Sequence, residues 1–294
     1  LTGPTTEWRF SMDWRLAMKL AIYSLLLVNF GLYILEEIYV ASFTMRNGGT
    51  LLEWTAAFAT TIDLSAWFTL LFLLELETFA LADEFLEKPW VVRLLHGLRM
   101  FCYLSLAHSV YAFGTIYLDL LAQEIIPGVT SLCQLVGPDV SFTRNIEYVE
   151  LTSANCNNLS ADDRFLYTED GLVVTDRDGF VLEKRLALVD WLEVIFWLVI
   201  LLTIEIMVRL QERGITRGPW ITAIKASKVF LYGGLWVFAG WWLSLGHVYY
   251  AWDEALWIVG FITIEMNMRQ WKKEIEEGEL PESAATPAGS INNS

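Results

Sequence analysis

One spacing recurs three times in this chain: an acid, a Trp four residues on, and a second acid eight residues after that. The sets are Asp63, Trp67 and Glu75; Glu193, Trp197 and Glu205; and Asp253, Trp257 and Glu265. Each lies in an apolar run that, at about 1.5 Å per helical residue, is long enough to cross a hydrocarbon core of about 30 Å. A Trp at the membrane interface puts an acid about 12 Å further along the helix close to hydrocarbon.

Composition agrees with a membrane class. Of 294 residues, 55% are hydrophobic, and mean hydropathy is +0.42, more apolar surface than a soluble fold can bury. The 14 Trp and 11 Tyr suit headgroup level, where amphipathic rings collect. A net charge of −15 excludes nucleic acid, which needs basic patches. The expected partners are the lipid bilayer and either further copies of this chain or other membrane subunits.

The expected fold is all-α: six transmembrane helices, arranged as three parallel helical-hairpin repeats, with a small extracytoplasmic α+β or coil-rich insertion. Residues 1–121 hold helices one to three, 122–187 form an extracytoplasmic cap with a β-hairpin, 188–274 hold helices four to six, and 275–294 form a disordered cytoplasmic tail. The first run, Leu16 to Leu35, reads as an anchor that is not cleaved, since no small-residue cleavage pattern follows it. Within the cap, Gly171 to Glu183 reads as two strands about an Asp178-Gly179 turn. An EF-hand is excluded there, because Val174 and Arg185 would occupy its first and last ligand positions. Cys133 and Cys156 share this segment, and an extracytoplasmic compartment favours a disulfide between them.

Lys and Arg set the orientation. Arg9, Arg15 and Lys19 precede the first span, and Lys88, Arg93 and Arg99 surround the second turn. Arg209, Arg213 and Arg217 follow the fourth span, and Arg269 and Lys272 follow the sixth. Both termini are therefore expected in the cytoplasm.

The repeat extends beyond the acids. Aligned without a gap, Asp63 to Trp90 falls on Glu193 to Trp220, including the Pro-Trp pair that opens the next helix. In the same way Glu205 falls on Glu265 and, in one register with it, Arg209 on Arg269. The odd-numbered spans share a base four residues before a Tyr: Lys19 and Tyr23, Arg99 and Tyr103, Lys228 and Tyr232. Parallel repeats of this kind occur in transporters and channels.

Topology then sorts the charges by depth. Glu36, Glu37, Asp63, Glu193, Asp253 and Glu254 fall at the outer mouth, where they concentrate cations. Glu75, Glu205 and Glu265 fall about 18 Å deeper, near Lys19, Arg99 and Lys228. Two readings of the inner set compete: interhelical ion pairs that lock the hairpins, or carboxylates that line an ion path. His108 and His247 sit in similar stretches, SLAHSVYAF and SLGHVYYAW, and would be the ligands of a haem or metal. Their match needs a different register from the one that aligns Asp63 with Glu193, and they lie at unequal depth, which favours helix packing instead.

No soluble-enzyme motif is present: no phosphate-binding glycine loop, no His-Glu-x-x-His, no CxxC and no G-x-S-x-G. The sequence requires no cofactor and leans away from an enzyme. The leading expectation is a cation or proton channel or transporter that uses the inner glutamates. The alternatives are a non-catalytic scaffold or accessory subunit, and a haem- or metal-binding membrane oxidoreductase.

Overall fold

The computed structural model describes residues 14–76, 88–169, 171–213, 215 and 217–276, with side chains left undescribed at 14–16, 211–212 and beyond 262. In chain order the described residues form α1 (Trp14–Thr44), α2 (Leu51–Ala57), α3 (Ala59–Glu75) and α4 (Pro89–Ala122), then β1 (Ser141–Arg144), β2 (Glu147–Glu150) and the one-turn α5 (Cys156–Leu159). After these come β3 (Phe165–Glu169), β4 (Val173–Asp176), α6 (Arg177–Glu212), α7 (Pro219–Ser244) and α8 (Val248–Glu276).

The long helices close into a ring. Each packs on its neighbours in chain order, α1 on α3, α3 on α4, α4 on α6, α6 on α7 and α7 on α8, and α8 returns to α1. Every one of them contributes to a single apolar core, which includes Leu26, Leu71, Leu106, Ile200, Leu235 and Ile258. Their outer faces are strongly apolar too; Val229, Phe230 and Phe101 are 75%, 70% and 68% exposed. Apolar outer faces of this kind suit a lipid bilayer.

Among the described residues four helices are long and apolar enough to cross a membrane, and α2 with α3 makes a fifth if the bent pair is one span. The sequence leads to an expectation of six spans; four to five are found among the described residues, and α8 is not one of them. The second expected span is broken, with α2 and α3 meeting at 71° around Phe58. Glu37 explains why the break is stable, since its carboxylate accepts the backbone N–H groups of Thr60 at 2.8 Å and Thr61 at 3.1 Å. These contacts cap the free N-terminus of α3, where unpaired N–H groups and the helix dipole both favour an anion. The last expected span is α8, a helix of 29 residues whose side chains are described only to Ile262. The expected tail lies beyond the described residues.

Prolines place two helix starts. Pro89 and Pro219 occupy the first turns of α4 and α7, where a missing N–H costs nothing. Between α7 and α8 the chain reverses through Gly246 at φ 89°, a conformation that favours glycine.

The insertion folds as a mixed four-stranded sheet in the order β2-β1-β4-β3, with β1 and β4 parallel and the two outer pairs antiparallel. Its tight hairpin is β1–β2, closed by Asn145 at φ 59° and Ile146 at φ 65°. Two successive positive values are what a type I′ turn requires. The hairpin expected at Gly171 to Glu183 does not form. β4 ends at Asp176 and the chain turns directly into α6, so Asp178 and Gly179 belong to the first helical turn. Asp176 is the cause, because its carboxylate accepts the Gly179 N–H at 2.7 Å and so caps the helix. Gly179 is there for space, since a Cβ would meet Thr175 Oγ1 at 2.3 Å.

A Cys133–Cys156 disulfide ties the start of the insertion to α5. The sheet is anchored on three sides of the ring. Arg46, just beyond the end of α1, pairs with Glu150 and donates to the Asp139 carbonyl at 2.9 Å. Leu166 and Phe180 pack with Leu120 of α4 and Ala187 of α6. Asn145 donates to the Leu245 carbonyl at 3.2 Å, at the α7–α8 turn.

Candidate functional site: an acidic hollow beneath the sheet

Helix α6 builds the longest wall. Glu183, Leu186, Ala187, Asp190, Glu193, Val194 and Trp197 all line one cavity of about 870 Å³ under the sheet. Steps of three, four and seven residues put these side chains on one helical face. Glu36 and Glu37 of α1, Asp63 and Trp67 of α3, and Asp253, Glu254 and Trp257 of α8 complete the helical lining, and Tyr148 and Glu169 come from the sheet.

The charge of the lining is one-sided. Eleven of the lining side chains are carboxylic acids, and among the described residues that line it none is Lys, Arg or His. All six acids expected at the outer mouth, Glu36, Glu37, Asp63, Glu193, Asp253 and Glu254, face this one cavity. Five more join them that the sequence reading did not single out: Glu53, Asp119, Glu169, Glu183 and Asp190. For Glu183 and Asp190 the signal lies in their spacing, since both precede Glu193 on one helical stripe; reading Glu183 as the end of a strand hides it.

Neutral donors hold several of these acids in place. The indole N–H of Trp242 donates to Glu193 at 2.7 Å, that of Trp197 to Glu254 at 3.3 Å, and the amide of Asn29 to Asp253 at 2.8 Å. Tyr250 donates to Glu36. Only one oxygen of Glu254 is used; its Oε1 is buried and has no hydrogen-bond partner. A buried, unmatched carboxylate oxygen is costly, by about 1–3 kcal/mol or more for a charged group.

Tryptophans form the floor. Trp67, Trp197 and Trp257 belong to alternate helices of the ring, and Trp67 meets the other two with ring centroids 6.0 and 6.3 Å away. Phe261 contacts all three from 5.4, 5.3 and 6.2 Å. Edge-to-face and tilted contacts at these separations are favourable and pack densely. Beyond them lies the apolar core.

The inner glutamates have different surroundings. Glu75 pairs with Lys19 and accepts from the Tyr23 hydroxyl at 3.0 Å. Glu205 accepts from the Tyr103 hydroxyl at 2.5 Å and sits 3.9 Å from Arg209. Neither Glu75 nor Glu205 lines the cavity. Arg99 and Lys228 are half-buried on α4 and α7, and the side chain of Glu265 lies outside the described residues.

The histidines lie apart from the cavity lining. His247 bonds Asn145 at 3.1 Å and stacks near Tyr250, where burial lowers its basicity. His108 lies beside Tyr111, its Nε2 buried without a partner. Among the described residues no group of three or more His, Cys, Asp or Glu side chains is placed to hold a metal ion.

At the sheet, the Arg46 guanidinium holds the Glu150 carboxyl below its ordinary value, chiefly through their hydrogen bond. Burial, then the nearby Glu183 charge, raises the Tyr148 phenol and keeps it neutral. The chain matches no known protein family, no curated protein and no solved structure.

Proposed function

We propose that this chain is an integral membrane protein that binds and conducts cations, with the acidic hollow as its extracytoplasmic receiving site. One observation carries the reading: among the described residues eleven acids and no basic side chain line a single cavity, and Glu254 keeps a buried oxygen without a partner. Carboxylates gathered in a low-dielectric hollow focus potential and raise the local cation concentration. A mobile cation would supply the charge that the lining lacks.

The orientation expected from Lys and Arg puts the sheet and the hollow outside. The shared contacts of Trp67, Trp197 and Trp257 support three hairpin repeats about one axis. Glu75 and Glu205 are then anchors, each held by a Tyr and a base, and the ion is taken up first by the outer acids. The Trp67, Trp197 and Trp257 floor is where the route must open for passage.

Cation flux into proteoliposomes tests this. Flux should fall by about a hundredfold or more when Glu193→Gln and Glu254→Gln are combined, the loss expected for two charge-assisted contacts. Unchanged flux would remove the hollow from the path. Absence of flux from the wild-type chain, together with a stoichiometric membrane partner on purification, would instead favour an accessory subunit.

A further inference from the structure

The hollow also carries information about the size and chemistry of its cation. A cavity of about 870 Å³ is in the range that holds small organic molecules, far more room than a single bare ion fills. Inorganic divalent ions want several oxygen ligands at once, typically about six to eight for calcium. The acids here are spread along the walls, and among the described residues no three converge on such a point.

Aromatic rings fill the space between the acids. Trp197, Trp242, Trp257 and Tyr250 line the same cavity as Glu193 and Glu254. Trp242 and Tyr250 meet edge to face at 5.1 Å, so their rings form a corner instead of a flat wall. The two indole N–H groups that hold Glu193 and Glu254 leave each carboxylate oriented, and Oε1 of Glu254, a residue only 8% exposed, remains without a partner. Fixed carboxylate plus aromatic surface is the pairing that recognises an ammonium group bearing carbon: the charge meets the acid, and the alkyl groups meet the π faces.

We infer that the hollow binds a small organic ammonium cation, with Glu254 as the principal counter-charge, Glu193 as the second, and the surrounding Trp and Tyr rings as the apolar cage. This rests on the reading of the hollow as a cation site and adds the class of cation. Its selectivity follows from desolvation. A methylated ammonium sheds its weakly held water readily and gains aromatic contact, whereas sodium or calcium must lose tightly held water for carboxylates too dispersed to replace it.

The test uses the full chain in detergent micelles, titrated at constant ionic strength and followed by calorimetry and tryptophan fluorescence. Tetramethylammonium is the first probe, and sodium and calcium chloride are the others. Tetramethylammonium should bind saturably, about tenfold or more tighter than sodium, and quench tryptophan emission; Glu254→Gln, which keeps shape, should weaken it about tenfold or more. Trp257→Phe, which keeps an aromatic face, should weaken it less than Trp257→Leu. If sodium or calcium binds tighter than tetramethylammonium and Glu254→Gln abolishes that binding, the organic class is overturned and the cation site stands. If no cation binds the wild-type chain, both fall. Competition on the wild-type protein decides the first point without any variant.

Discussion

The two ends of this helical ring treat carboxylates in opposite ways. At one end Glu75 meets Lys19 and Tyr23, and Glu205 meets Tyr103 and Arg209, so charge is answered locally by protein. At the other end eleven acids share a cavity lined by no basic side chain among the described residues, several of them held by indole, phenol and amide donors that orient without neutralising. The same residue type therefore serves two purposes. Where a base is built in, the acid fastens helices together; where only neutral donors are built in, the proposed function has the counter-charge arrive from outside. That difference is why the cation site is assigned to the sheet-covered end and not to the deeper glutamates.

The comparison can be broken from either side, and the largest effect is expected in the hollow. Combining Glu193→Gln with Glu254→Gln should cost about a hundredfold or more in cation affinity, since each charge-assisted contact contributes about 1.5–3 kcal/mol. Thermal stability should hold or rise, because one buried and one half-buried acid, neither paired with a base among the described residues, are made neutral. A fall in stability would mean that these acids are structural after all.

Next in size is the disulfide, whose cysteines have a sequence separation of 23. For a loop of that order, Cys133→Ser with Cys156→Ser should lower the stability of the sheet by about 3 kcal/mol. Affinity for cations should change little by comparison, because neither cysteine lines the hollow. Equal losses of stability and affinity would show that the sheet sets the geometry of the acids.

At the far end, both side chains of the Lys19 and Glu75 pair are about a quarter exposed. Lys19→Met should therefore destabilise the protein by about 1–2 kcal/mol, less than the loss of a fully buried partner. Adding Glu75→Gln should recover much of that loss, since the uncompensated charge goes with it. Failure of the second substitution to rescue the first would separate Glu75 from Lys19 energetically.

The smallest effect is at the sheet. Glu150 has its folded carboxyl value depressed below 4.5, so the Arg46 pair adds stability above that value and loses it as pH falls through the depressed one. Glu150 is 55% exposed, so the ion pair contributes only about 0.2–1 kcal/mol at neutral pH, and the difference between Arg46→Gln and wild type should shrink in acid to what the Arg46 bond to the Asp139 carbonyl contributes. Denaturation of the two proteins at about pH 7 and at about pH 3, either side of the carboxylate range, measures this.

Much of the fold was legible because a bilayer imposes simple rules. Apolar length marked the long helices, and Pro89 and Pro219 marked two starts. The acid and Trp spacing pointed to Asp63, Glu193 and Asp253 in the hollow, since a fixed helical interval keeps each beside its Trp on one face. What could not be read was tertiary. The break at Phe58 depends on Glu37 reaching across from another helix to the Thr60 N–H. Asp176 could cap a helix or end a hairpin turn, and local sequence alone did not decide between the two. The division between paired and unpaired acids lay beyond periodicity too, because it depends on whether Trp242 or a lysine faces Glu193 in space.

The most direct measurement is cation uptake into proteoliposomes, run side by side for two double variants. One carries Glu193→Gln with Glu254→Gln, the other Lys19→Met with Glu75→Gln. Uptake should collapse in the first and persist in the second; persistence in the first with collapse in the second would contradict the assignment and return the path to the deeper glutamates.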